Sequence, residues 1–264
     1  MDEIRFLTWN TQLYEMGNKV SKDIKKIDED LFYKIIKEIK KFFSTSNKAI
    51  AVLQEIPYKC NNNGYKEHEL FTKFKNEFPE SNYSMLYNIS TENQIMMTVV
   101  LSPKATGKII KLDGINNNRC VLFGIENEEL SIMGVHSGCA EQVLTWKKNK
   151  NPDIILGDFN AGDYEKRNAT DVFITNRTIY RDLIREYTDI LKGQNTRKYV
   201  FGDGKVYETP IDHVLIKKDK ERMEKYLFDD ISINTNTNNL SDHYLISFKL
   251  SLNKKTYHNT AVSK

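Results

Sequence analysis

Five apolar runs of strand length recur along the chain, at residues 4–10, 49–55, 130–136, 153–160 and 210–216, each with polar residues at one end. A sixth, 244–250, follows Ser241-Asp242-His243. Near-continuous apolar runs of this length mark strands buried on both faces in layered folds. Their polar ends are Asn10, Glu55, His136, Asp158 with Asn160, Asp212 with His213, and Asp242 with His243. A purely structural strand needs none of these groups. Repeated delivery of carboxylates, amides and imidazoles to strand ends predicts one site, assembled along one sheet edge from both halves of the chain.

Between the runs, apolar residues fall at helical spacing. Leu31, Phe32, Ile35, Ile36, Ile39, Phe42 and Phe43 predict a helix over 28–43, and Leu70, Phe71, Phe74 and Phe78 one over 66–78. Further helices are predicted at 141–148 and 178–187. Strands are predicted at 83–89, 95–102, 107–112, 119–125 and 226–233, and a hairpin at 196–206 with Gly202-Asp203-Gly204 as its turn. Segments 11–27 and 161–176 are polar and read as loops. Helices between some strands and hairpins between others indicate two mixed sheets with helices outside, in the α/β (α+β) class. If Asn10 and His243 share a site, residues 1–252 form a single domain, followed by a polar tail at 253–264.

Composition narrows the picture modestly. A chain of 264 residues buries roughly 75% of its unfolded surface, enough for a large core. Its 39 basic and 36 acidic residues leave a net charge of +3, which argues against a strongly basic binding platform. Cys60, Cys120 and Cys139 are odd in number and lack metal-ligand spacing, so they read as free thiols of a reducing compartment. No secretory signal precedes the first strand, and no apolar run approaches 18 residues. The expectation is a cytoplasmic protein that does not enter the membrane, with no obligate protein partner implied.

The polar ends carry a specific chemistry. Carboxylate and amide oxygens are the donors preferred by a hard divalent cation, so Glu55, with Asn10 and Asp242, suits an open Mg²⁺ site facing a phosphate. Asp158 and Asn160 alternate and would point to one side of an extended backbone. A carboxylate to orient or deprotonate water, beside an amide to hold the transferring group, suits in-line attack on phosphate. The adjacent residues of Asp212-His213 and Asp242-His243 point to opposite faces of their strands. Cross-pairing is therefore expected, with Asp212 orienting His243 and favouring its imidazolium, and with His213 facing away in a structural role. His136 would be the second imidazole beside a phosphate. Arg177, Arg181 and Arg185 fall four apart, as on a solvated helix face with Asp182 and Glu186 as partners.

Taken in order, Thr8-Trp9-Asn10, Leu53-Gln54-Glu55, Gly134-Val135-His136-Ser137, Gly157-Asp158-Phe159-Asn160, Ile211-Asp212-His213-Val214 and Ser241-Asp242-His243 resemble the motif set of the endonuclease/exonuclease/phosphatase superfamily. The resemblance spans residues 4–250 and is nearest the deoxyribonuclease I-like branch. It implies a four-layer α/β sandwich, two mixed β-sheets packed face to face with helices outside, and Mg²⁺-dependent phosphoesterase activity, with Mn²⁺ as a substitute. By the same resemblance, Asn10, Glu55 and Asp242 lie on the metal side. His136, Asp158, Asn160, Asp212 and His243 are catalytic, and Arg119 contacts the substrate phosphate. The expected substrate is nucleic acid, DNA foremost. A phosphodiesterase or phosphatase acting on a small or lipid phosphate is the alternative, and a non-catalytic binding module of the same fold ranks last, because every metal-side and nucleophile-side residue is present. A lipid enzyme would expose apolar residues beside the site, whereas 11–27 and 161–176 are polar.

Overall fold

A computed structural model describes residues 3–13, 29–58, 67–89, 96–113, 115, 117–137, 145, 148, 150–162, 180–200, 204–219 and 223–253. The cysteines Cys60 and Cys139, Arg177, most of the expected helix at 141–148, most of the two polar loops, and the tail from 254 onward lie outside these residues.

Two six-stranded mixed sheets carry the fold. The first is built from β1 (Ile4–Asn10), β2 (Ala49–Pro57), β3 (Tyr83–Tyr87), β4 (Met96–Pro103), β13 (Tyr226–Asn234) and β14 (Leu245–Leu252), in the order β13-β14-β1-β2-β4-β3. The second is built from β5 (Ile109–Lys111), β6 (Cys120–Ile125), β7 (Ser131–His136), β8 (Ile154–Asp158), β9 (Tyr187–Asp189) and β12 (Asp212–Lys217), in the order β5-β6-β7-β8-β12-β9. A separate hairpin pairs β10 (Arg197–Val200) with β11 (Val206–Thr209).

Strand alternation sorts the apolar side chains into layers. Ile4, Phe6, Ile50, Val52 and Phe248 of the first sheet meet Ile132, Ile154, Leu156 and Val214 of the second in a shared inner core. There Phe6 and Phe248 stack with ring centroids 5.1 Å apart. On the outer face of the first sheet, Leu7, Trp9, Ala51 and Leu53 receive α1 (Glu29–Ser44) and α2 (Glu69–Glu77). The apolar stripe of α1 is Phe32, Ile35, Ile36, Ile39, Phe42 and Phe43, all buried. His68 caps α2, its Nδ1 accepting from the Leu70 N–H at 3.1 Å. On the outer face of the second sheet, Val135, Ile155 and Leu215 pack against Tyr180 and Leu183 of the helical stretch 180–186. The order helix, sheet, sheet, helix is the expected four-layer sandwich. Among the described residues no helix is long and apolar enough to cross a membrane.

Several boundaries differ from the sequence expectation. The second strand does not end at Glu55 but continues to Pro57 through a bulge against β4, between Leu53 and Ile56. Helix 180–186 gives way to β9 at Tyr187, because the buried Tyr187 pairs with Lys217 at the sheet edge.

Two parallel pairs decide where the strand ends meet. β1 runs parallel to β2, with Asn10 opposite Gln54, and β7 runs parallel to β8, with His136 opposite Asp158. Their C-terminal ends thus share one rim. The antiparallel β12 brings its N-terminal Asp212 opposite Asp158, and the antiparallel β14 starts on the same rim just after His243.

The sheets approach closely at Gly134, where a Cβ would stand 2.6 Å from Val52 Cγ1 across the interface. Gly134→Ala should therefore cost about 1–3 kcal/mol by overpacking. Combined with Val52→Ala it should cost less than the two single losses together, as read from urea denaturation midpoints.

Candidate active site

The rim gathers Asn10, Glu55, His136, Asp158, Asn160, Asp212, Asp242 and His243. Asn10 closes β1. Its Nδ2 donates to Glu55 Oε1 at 3.1 Å and to Asp158 Oδ2 at 2.9 Å, and its Oδ1 accepts from the Gln12 N–H at 3.1 Å. One amide thus ties together carboxylates from different sheets, and its oxygen is turned toward Gln12. Glu55 sits in the β2 bulge at φ 58°, a left-handed conformation rare for a residue with a Cβ. The bulge re-aims the side chain toward the rim, as bulges beside functional sites do.

Asp158 is buried at the end of β8, and Asn160 follows at φ 46°. The extended alternation expected there is replaced by a tight turn. The Asn160 N–H donates to Asp158 Oδ1 at 2.8 Å, and Nδ2 donates to the Ser137 carbonyl at 2.8 Å and reaches Asp158 Oδ2 at 3.3 Å. The amide expected to hold a phosphoryl oxygen is, in this conformation, spent on bracing Asp158. Gly157, at φ 136°, allows the approach, since a Cβ there would meet the Val135 carbonyl at 2.1 Å.

The cross-pairing of the two Asp-His dipeptides is present. His243 Nδ1 donates to Asp212 at 2.9 and 3.0 Å, and His243 Nε2 lies 3.8 Å from Asp158 Oδ2. Burial opposes charge on this ring. Asp212, Asp158 and Asp242 outweigh it and raise its pKa to about 9. His136 sits in the opposite electrostatic situation. Burial, then the positive charges of Arg119 and His243, hold it well below the ordinary imidazole range. Its Nε2, 3.5 Å from Glu55 Oε1 and 3.7 Å from Asp158 Oδ2, is therefore neutral and makes no ion pair there. Both ring nitrogens face the same Asp158 oxygen. Their separation is bounded by the sum of those two distances, within the ~8 Å that a phosphate can bridge by hydrogen bonds. Burial also raises Asp158, to about 6, with Asp212 adding to it and the His243 charge and the Asn10 bond opposing it.

Asp158, Asp212 and His243 bring ligand-type atoms within 4.8 Å of one another, but they are already paired internally. Glu55 and Asp242 offer carboxylate oxygens of the kind a hard divalent cation prefers, whereas Asn10, expected beside them on the metal side, turns its NH₂ and not its oxygen toward Glu55. Asp242 Oδ1 is buried without a hydrogen-bond partner and lies 3.4 Å from His243 Nε2. Arg119 precedes β6. Its carbonyl accepts from the His136 N–H at 2.8 Å and from Thr98 Oγ1 at 2.9 Å, and its charge is felt by His136.

His213 faces away, as its strand parity requires. On the outer face of the second sheet its Nδ1 meets Asp189 Oδ2 at 2.9 Å and its Nε2 meets the Ala161 carbonyl at 2.6 Å, while Tyr180 stacks on the ring at 4.3 Å. The ring thereby braces the turn that carries Asn160.

Some of the site was invisible in the sequence. Trp9 Nε1 donates to the His243 carbonyl at 3.0 Å, and Ser241 Oγ donates to the Asn10 carbonyl at 2.7 Å. Thr196 Oγ1 accepts from the N–H groups of Ile211 and Asp212 at 3.1 and 2.9 Å. Arg197 reaches Asp242 Oδ2 through Nε at 2.7 Å and Nη2 at 2.6 Å. Trp9 and Ser241 lie inside recognisable motifs, which was a signal. Nothing distinguished Arg197 from the other basic residues. In the arginine stripe, Arg181 and Arg185 are exposed and Arg185 pairs with Asp182 at 3.1 Å, as a solvated face would.

If Asp158 acts as a carboxylate and His243 as an imidazolium, kcat/KM rises with pH through about 6, as Asp158 loses its proton. It falls through about 9, as His243 loses its own. His243→Ala should remove the alkaline limb and lower the rate by roughly 10²–10⁴-fold. A profile flat between about pH 5 and 10 would refute the assignment. His213→Ala strands a buried carboxylate and carbonyl and should cost about 3 kcal/mol in chemical denaturation.

No family model and no curated protein matches the chain. Among solved structures, the endonuclease domain of TRAS1, a telomere-specific non-LTR retrotransposon, matches with a TM-score of 0.59 and 16% identity over 95% of this chain and 100% of that one. D. rerio TDP2, complexed with single strand DNA product, matches with a TM-score of 0.58 and 12% identity over 95% and 99%. An endonuclease/exonuclease/phosphatase from Beutenbergia cavernae matches with a TM-score of 0.57 and 12% identity over 96% and 72%. At such identities the likeness is one of fold. This chain has the fold of the endonuclease/exonuclease/phosphatase proteins, the superfamily that its ordered motifs resemble.

Proposed function

We propose that the chain is a divalent-cation-dependent phosphodiesterase that hydrolyses nucleic acid, DNA foremost, by in-line attack of an activated water. The observation that carries this reading is the meeting, on one rim, of two imidazoles with opposed proton states around a buried carboxylate. His136 is held neutral and His243 is raised to about 9, with Asp158 between them. A general base and a group that meets developing phosphoryl charge are needed together, and environment sets them apart here.

Asp158 takes the proton of the attacking water, or orients it, and Asn10 and Asn160 hold that carboxylate in place. His243, fixed in tautomer and orientation by Asp212, presents Nε2–H to a phosphoryl or leaving oxygen. His136 and Arg119 flank the other side of the phosphate. Glu55 is the principal carboxylate for Mg²⁺ or Mn²⁺. A bound cation would neutralise phosphoryl oxygens as charge builds in the transition state. The ordered motifs, and the fold shared with an endonuclease domain and with a TDP2 solved with single strand DNA product, support a nucleic acid substrate. The polar sequence of 11–27 and 161–176 supports it over a lipid. The small net charge of +3 keeps a small soluble phosphodiester as the second reading.

The test is hydrolysis of plasmid DNA, single-stranded oligonucleotide, RNA and a generic phosphodiester, each with Mg²⁺, Mn²⁺ or chelator. DNA cleavage that stops in chelator and falls by at least ~10²-fold in Glu55→Gln is the expected result. Full activity in excess chelator would overturn the metal requirement. Turnover of the generic diester alone would move the substrate to the second reading.

A further inference from the structure

Both sheets end in an open strand on the same flank of the sandwich. β3 pairs only with β4, and β5 only with β6, so each is the last strand of its sheet. A groove of about 890 Å³ is lined by residues of both strands and of α2, and no residue of the rim lines it. The direction of the β3 main chain follows from its register. Lys104 N–H donates to the Asn82 carbonyl at 2.9 Å, and Pro103, opposite Tyr83, has no N–H to give. Bonded and unbonded pairs alternate in an antiparallel ladder, so Ser84 and Leu86 bond β4, while Met85 and Tyr87 turn their main-chain N–H and C=O groups away from it. The Tyr87 carbonyl takes Lys111 Nζ at 3.0 Å. Nothing among the described residues bonds the Met85 main chain from that side. An outward row of main-chain groups is a template for a further strand.

The side chains around the groove select which strand can add. Lys75, Lys104, Lys108 and Lys111 line it, against Glu80. Neither Lys104 nor Lys111 meets a carboxylate among the described residues, and Lys108 meets Glu126 at 3.4 Å in an exposed pair of little strength. Lysines beside an open edge discourage pairing with a second copy of that edge through like-charge repulsion, whereas an acidic strand meets no such barrier. Met85 packs against the outer core and Leu86 against the inner one, so a strand laid beside them finds apolar surface on both of its faces. We infer that this flank docks an acidic, extended segment of a partner protein, which adds to β3 as a further strand with its carboxylates among the lysines. The inference is independent of the hydrolytic reading above. A nucleic acid would engage the lysines but leave the Met85 main chain and the apolar lining without partners, so the geometry favours a peptide.

The experiment is fluorescence anisotropy of the full chain with a fluorescein-labelled octapeptide of alternating glutamate and valine. Two control peptides accompany it, one with lysine in place of glutamate and one N-methylated at every amide, which keeps the charge and removes the main-chain donors. The wild type should bind the acidic peptide and bind each control at least ~10-fold more weakly. The double variant Lys104→Glu/Lys108→Glu should weaken the acidic peptide by at least ~10-fold, with thermal unfolding as the check on its fold. No binding by the wild type, equal binding of either control, or full binding by the folded double variant would overturn the inference. A single-stranded oligonucleotide that loses as much affinity as the peptide to the two charge reversals would make the groove a phosphate track and overturn it too. So would a wild-type dimer in sedimentation that the reversals disrupt, since the edge would then serve a second copy. If the double variant fails to fold, the three peptides decide on the wild type alone.

Discussion

Two carboxylates, Asp158 and Asp212, are buried a few ångströms apart, and everything else at the rim follows from the need to hold them there. Like charges at that distance in a low-dielectric setting cannot both persist unless a positive group lies between them. His243 is that group, bonded to Asp212 and facing Asp158. Its elevated proton affinity is thus a condition for burying the cluster as well as a resource for chemistry. The same cation, together with Arg119, helps keep His136 neutral. One buried charge arrangement sets the proton states of three groups at once.

The fold supplies this arrangement from distant parts of the chain. Parallel pairing within each sheet puts the ends of β1 with β2 and of β7 with β8 on a common edge, and the inner core clamps the two sheets so that these edges form one rim. Short cross-ties then remove the remaining freedom. Asn10 joins Glu55 to Asp158 across the sheets, and Trp9 and Ser241 pin the segment bearing His243 to the end of β1. The left-handed backbone at Glu55 and Asn160 persists because the surroundings over-determine it, as is usual for strain at functional sites. Behind the rim, His213 and Asp189 repeat the buried histidine-carboxylate pair on the outer face, where it braces structure.

Much of this was legible in the sequence because burial and strand periodicity leave direct marks. Apolar runs located the strands, and helical spacing in 28–43 located α1, since each reflects which faces must be hidden from water. The rim residues stood out because a buried strand seldom ends on a carboxylate or imidazole without reason. Parity alone separated His213 from Asp212 and pointed Asp212 toward His243, since neighbours on a strand point to opposite faces.

Other features existed only once the chain had folded. Whether Glu55 ends a strand or occupies a bulge depends on its register with β4, a pairing between residues more than forty apart. The Asn160 amide is spent on Ser137 and Asp158 because of a turn conformation that its residue type permits but does not require. His136 and His243 are the same residue type with opposite proton preferences, decided by which charges surround each ring. Arg197 carried no mark at all, because its place beside Asp242 rests on one hairpin being stitched to a strand start over forty residues away. The amino-acid sequence by itself determined the kinds of groups, the strands that carry them and the face each one takes, since these depend on local pattern. Only the tertiary structure decided the charges and partners, since electrostatic interactions depend on distances between groups that the sequence does not set.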